Sequence, residues 1–187
     1  MKQAFTLFVL FLFTFSCQFK GSQTKESAPV DDTVAAQGIS TPSALGRVYD
    51  AYLALSSAFV ATDYDACQQA LSPLLDNIEA LSADFFKEEA KQQFWAEKQP
   101  LWRNVVQDIM NQKDIEAQRV HFKALSMVAI ETIETLGTEG AVLYKSFCPM
   151  ALNNAGAFWI ANTEDINNPY FGDKMLKCGR VEQTYNP

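Results

Sequence analysis

The chain has 187 residues, with 22 Asp and Glu against 15 Lys and Arg, a formal net charge of −7 and a single histidine. An acidic chain without a basic stripe is a poor partner for nucleic acid, because phosphate binding draws on clustered Lys and Arg. One histidine removes every arrangement built on paired imidazoles, and a chain of this length has room for one well-formed core but not for two large domains.

At the amino terminus Lys2 precedes the apolar run from Ala4 to Phe15, which ends in Ser16-Cys17. The run falls short of the ~20 apolar residues a membrane-spanning helix needs, so residues 1–16 are expected to be a signal peptide. Cys17, directly after a small residue, resembles the cysteine of a lipoprotein cleavage site and is expected to be lipidated. Ordinary signal cleavage, with Cys17 lost or left free, is the competing reading. Residues 17–40 are rich in Ser, Thr, Lys, Asp, Ala and Gly and show no apolar periodicity, which is the composition of a flexible, lipid-anchored linker.

From residue 41 the pattern is helical. Thr41-Pro42 offers a cap followed by a first-turn proline, and Leu45, Val48, Tyr52, Leu55 and Phe59 recur at helical spacing. Asp63 caps a second helix running to about Leu81 through Leu71, Leu74, Leu75 and Ile78, with a kink expected at Pro73. Ser82 caps a third stretch from Ala83 to about Met110, which Pro100 is expected to split. Asp114 caps a fourth, whose stripe of Ile115, Phe122, Leu125, Ala129, Ile133 and Leu136 stops at Gly137. Short connections between long amphipathic helices predict an antiparallel four-helix bundle, so the fold class is mainly α.

After Gly140 the character changes. Val142-Leu143-Tyr144 and Phe158-Trp159-Ile160 are β-prone and flank the turn-forming Asn153-Asn154-Ala155-Gly156, so a small carboxyl-terminal hairpin and loop cap is expected from about residue 141. A turn near Asp173 to Leu176 and a final extended piece follow. Residues 41–187 thus read as one domain with its cap.

That cap holds the most distinctive chemistry: Cys148-Pro149-Met150, then Met175-Leu176-Lys177-Cys178. Thiols and thioethers together favour soft ions, copper(I) above all. Pro149 pushes Cys148 toward an extended conformation, in which Cys148 and Met150 share a face, and Met175 and Cys178 share a side if that piece is a helical turn. Equally open is a disulfide between Cys148 and Cys178, common in exported domains and worth roughly 3 kcal/mol in the chain-entropy model. His121 is the remaining candidate nitrogen ligand or base. Met127 reads as core filler, and Cys67 as a buried free thiol. Trp159, Tyr170 and Phe171 read as aromatics sealing a small core, and Asn167-Asn168-Pro169 with Gly172 as turn geometry.

Several spaced segments carry a family resemblance: Tyr52-Leu53-Ala54-Leu55, His121-Phe122 with Leu125-Ser126, Cys148-Pro149-Met150-Ala151, Gly156-Ala157-Phe158-Trp159, Asn168-Pro169-Tyr170-Phe171-Gly172-Asp173-Lys174-Met175 and Cys178-Gly179. From about Pro42 to Tyr185 the chain resembles the exported bacterial family known as domain of unknown function 3347, which occurs alone or joined to CusB-type heavy-metal efflux adaptors. The resemblance implies metal binding or delivery and gives His121 some added weight.

The combined expectation is an exported lipoprotein, at the periplasm or cell surface, tied to the membrane by its lipid anchor only. It would bind a soft metal, copper(I) first, through Cys148, Met150, Met175 and Cys178, with His121 as a further candidate. Its partners would be the metal ion and an efflux adaptor or other envelope protein, and heavy-metal handling its role. The alternative is a disulfide-stapled, non-catalytic interaction module of the envelope. No phosphate loop, nucleophile elbow or zinc-protease helix occurs, so no enzyme is expected.

Overall fold

A computed structural model describes residues 42–187. The signal peptide, Cys17, the linker and Thr41 lie outside the described residues. Four long helices come first: α1 (Ala44–Val60), α2 (Tyr64–Ala80), α3 (Glu89–Met110) and α4 (Ile115–Leu136). Three strands follow: β1 (Leu143–Cys148), β2 (Ala157–Ala161) and β3 (Arg180–Tyr185). Along the chain α1 packs on α2, α2 on α3 and α3 on α4, and β2 lies against α4. Among the described residues no helix is long and apolar enough to cross a membrane.

The caps explain the helix starts. Ser43, and not Thr41, begins α1, its hydroxyl accepting the Gly46 amide at 2.9 Å. Asp63 and Asp114 cap α2 and α4 through the amides of Ala66 and Ala117 at 2.9 and 2.8 Å, each satisfying one orphan donor of the first turn. Gly137 closes α4 with φ 95°, a conformation that suits glycine.

The third stretch departs from expectation. Ser82 caps only a 3₁₀ turn, Ala83–Phe85, and the helix itself starts at Glu89 and runs unbroken through Pro100. Pro73 likewise lies inside α2, which runs on past it as expected. A proline removes the partner of the carbonyl four residues earlier, here Gln69 and Ala96. Both of these residues are exposed, so water can serve the freed oxygens and the helices need not split.

The cap is a three-stranded antiparallel sheet in the order β2-β1-β3, larger than the expected hairpin because the last extended piece pairs with β1. Tyr144 faces Ala161 and Cys148 faces Ala157 across β1 and β2, while Phe147 faces Arg180 across β1 and β3. An aromatic chain joins helices to cap. Trp102 meets Tyr52 edge-on, Tyr52 stacks on Phe122 at 5.5 Å, Phe122 meets Tyr170 at 5.7 Å, and Tyr170 meets Trp159 at 6.2 Å. All five are buried. Tyr52 also accepts the Ile160 amide of the edge strand at 3.2 Å and pairs with the Ser126 hydroxyl at 2.8 Å. Its buried hydroxyl is pushed up to about 12 by loss of water.

Candidate functional site

Cys148 is the last residue of β1, fixed by its pairing with Ala157 and wholly buried. Pro149 then turns the chain, and Met150 takes helical angles (φ −86°, ψ −11°), so the two residues are not consecutive members of one strand face. The turn is completed by Leu152, Asn153 and Asn154, all with positive φ (53°, 58° and 67°). Asn tolerates that region, whereas Leu does so at a cost of about 1 kcal/mol. The chain thereby reverses and enters β2.

Cys178 arrives from the other side. The 3₁₀ turn Gly172–Lys174 ends at Met175, and Cys178 donates its amide to the Met175 carbonyl at 3.0 Å, closing one further turn. Gly179 follows with φ 143°. A Cβ there would lie 2.8 Å from the Trp159 ring and 3.0 Å from the Phe147 carbonyl, so a glycine lets the strand approach β1. This approach brings the Cys178 sulfur to 2.9 Å from that of Cys148. The two sulfurs are in contact without a bond between them. The Cys148 thiol beside it, with burial second, raises the Cys178 pKa, while the Met150 amide pulls the other way. At neutral pH Cys178 is therefore a protonated thiol rather than an activated nucleophile.

The structure thus places two of the expected residues together. Met150 follows Cys148 by two positions and is 47% exposed, and Met175 begins the turn that ends at Cys178 and is partly exposed. An exposed thioether is not core filler. Met127 also departs from the core-filler expectation: it stands on the outer face of α4 and is 38% exposed. His121 is half-buried on α4. Among the described residues no group of three or more His, Cys, Asp and Glu side chains converges, so His121 does not join the two thiols. Cys67 is a wholly buried thiol, pushed up to about 12 by desolvation, and inert.

Two residues that hold this site were not singled out from the sequence as functional. Asn168, wholly buried, donates its side-chain amide to the Cys178 carbonyl at 2.6 Å and accepts the Tyr170 amide at 2.8 Å. Arg119, 1% exposed, donates to the carbonyls of Pro169 at 2.9 Å and Phe59 at 3.0 Å and to the Thr62 hydroxyl at 3.0 Å. A charged residue between Ile115 and Phe122 on the apolar stripe of α4 was the available signal for Arg119. An Asn before Pro, reading only as a turn, was the signal for Asn168.

No curated protein and no solved structure matches the chain. A family model does match, over residues 48–140, which is most of the four helices and stops short of the sulfur-bearing cap. The chain belongs to the family described as protein of unknown function (DUF3347).

Proposed function

We propose that this chain is a non-catalytic binding protein whose working site is the Cys148–Cys178 dithiol, taking a soft metal ion, copper(I) by chemical preference, as cargo. The observation that carries the reading is the 2.9 Å approach of the Cys148 and Cys178 sulfurs, with Met150 and Met175 within three residues of them. Thiolate and thioether donors without a nearby carboxylate or imidazole suit a soft, low-coordinate ion and disfavour calcium or magnesium. The four long helices are read as an antiparallel four-helix bundle that supports this cap. The expected Cys17 lipid anchor would hold the domain at the periplasmic or cell-surface membrane, where heavy-metal handling with an efflux adaptor would place it.

Two thiolates each about 2.3 Å from one ion stand ~3.8 Å apart at a tetrahedral angle and ~4.6 Å apart in line, so the pair opens by about 1–2 Å to admit an ion. Cys178 lies outside the strand pairing that fixes Cys148, so the opening falls on its side. The test is competition for copper(I) between the reduced protein and a chelator of micromolar affinity. Transfer of one copper(I) per chain, weakened in Cys148→Ser and in a Met150→Ala, Met175→Ala double variant, is expected. Failure of the reduced protein to take copper(I) refutes the reading.

The same distance favours a second reading, a disulfide-stapled interaction module docking an envelope protein. An exported thiol pair this close oxidises unless protected. Thiol counting on protein isolated from its native compartment decides between them, because two free thiols at Cys148 and Cys178 contradict the staple.

A further inference from the structure

The two thiols are held by different means. Cys148 is locked by the ladder to β2, but Cys178 lies between the Gly172–Lys174 turn and the start of β3 at Arg180, outside the paired residues. What holds it is Asn168. The Asn168 side chain grips the Cys178 carbonyl and the Tyr170 amide, and its own backbone amide donates to the Leu176 carbonyl at 2.9 Å. The next carbonyl along, that of Pro169, is bound by Arg119 of α4. A continuous path therefore runs from the helices through Arg119, Pro169 and Asn168 to the backbone of Cys178.

We propose that Asn168 is a positioning residue for the dithiol, setting the separation of its two sulfurs and so both the ease of closing the sulfur–sulfur bond and the fit to a soft ion. This rests on the reading that the dithiol is the working site. The role demands a carboxamide, since one planar group must donate to Cys178 and accept from Tyr170. Asp at this position keeps the acceptor but turns a second oxygen toward the Cys178 carbonyl. Groups that orient a ligand in this way typically change its affinity about 10- to 100-fold when lost.

The experiment equilibrates the full chain with mixtures of reduced and oxidised glutathione. Closing the pair releases two protons and passes two electrons to the glutathione disulfide, which leaves as two glutathione thiols, and the fraction closed is read by alkylation and mass spectrometry. Asn168→Asp is expected to lower the thiol–disulfide equilibrium constant of the folded protein about tenfold or more, while Asn167→Asp leaves it unchanged. A merely structural role would lower the unfolding midpoint and leave that constant alone, and an unchanged constant in folded Asn168→Asp overturns the proposal. Should that variant not fold, the wild-type chain supplies the answer by NMR. Slow solvent exchange of the Asn168 side-chain amide protons, with a shift on oxidation, is expected, and fast, insensitive protons overturn it. Absence of copper(I) uptake by a wild-type pair whose redox equilibrium still responds to Asn168→Asp would sink the metal reading alone.

Discussion

Replacing Arg119 by Met keeps the buried stem of the side chain and removes its fork of donors. Four hydrogen bonds disappear, to Pro169, Phe59, Thr62 and Glu116. They are not equal. Glu116 is 60% exposed and regains water, and the Phe59 carbonyl keeps the Thr62 amide at 3.1 Å. The Pro169 carbonyl, by contrast, has no other protein donor among the described residues and is stranded, at a cost of about 1–3 kcal/mol. Loss of the charge-assisted bonds adds a comparable amount, offset by no longer having to bury a cation, so the net expectation is about 3 kcal/mol. For a domain of this size that lowers the thermal midpoint by about 6–12 °C. Urea unfolding followed by near-ultraviolet circular dichroism measures it, with Arg119→Lys intermediate because one ammonium cannot reach all the acceptors. A loss below ~1 kcal/mol would refute the claim that the Asn168–Gly172 loop is tied to the helices through this guanidinium.

Four further outcomes are expected. Gly172→Ala destabilises by about 2 kcal/mol or more, because Gly172 has φ 54° and an added Cβ would strike the Thr62 hydroxyl and lie 2.9 Å from the Val60 carbonyl; the urea midpoint reports it, and a shift within error would contradict the close packing. Tyr52→Phe leaves the Ile160 amide and the Ser126 hydroxyl without their shared partner, for a loss of about 1–3 kcal/mol and faster amide exchange at Ile160 in NMR; unaltered exchange there would count against it. The raised Cys178 pKa means that alkylation of the reduced pair at pH 7 is slower than that of a free model thiol and rises steeply as the pH climbs past about 9. Because a metal must displace those protons, copper(I) affinity should also increase with pH over this range, and a flat profile in competition titrations would disagree.

The helices were legible because their signals are local. Asp63, Asp114 and Gly137 stand where caps must, and the apolar stripe of α4 names its buried face. Pro100 misled on continuity, since the sequence does not say that Ala96, whose carbonyl it frees, is exposed. In the cap, Cys148 and Cys178 were legible as a candidate pair by residue type, and their sulfurs do lie together. The final extended piece was legible but its pairing was not, because the approach of Arg180–Tyr185 to β1 is set by Gly179 and long-range contact rather than by periodicity. Asn168 and Arg119 were invisible for the same reason: their partners lie 10 and 50 to 60 residues away.

The aromatic chain from Trp102 to Trp159 bears on how this polypeptide can be cut. A fragment ending at Gly140 would retain every residue the family model covers, yet would strip Tyr170 from Phe122 and the edge amide from Tyr52. The helical portion would then present a greasy, wet scar on α1 and α4 in place of a finished surface. Truncation after the matched segment would therefore remove part of the core of this chain, and truncation studies should keep the carboxyl-terminal third attached.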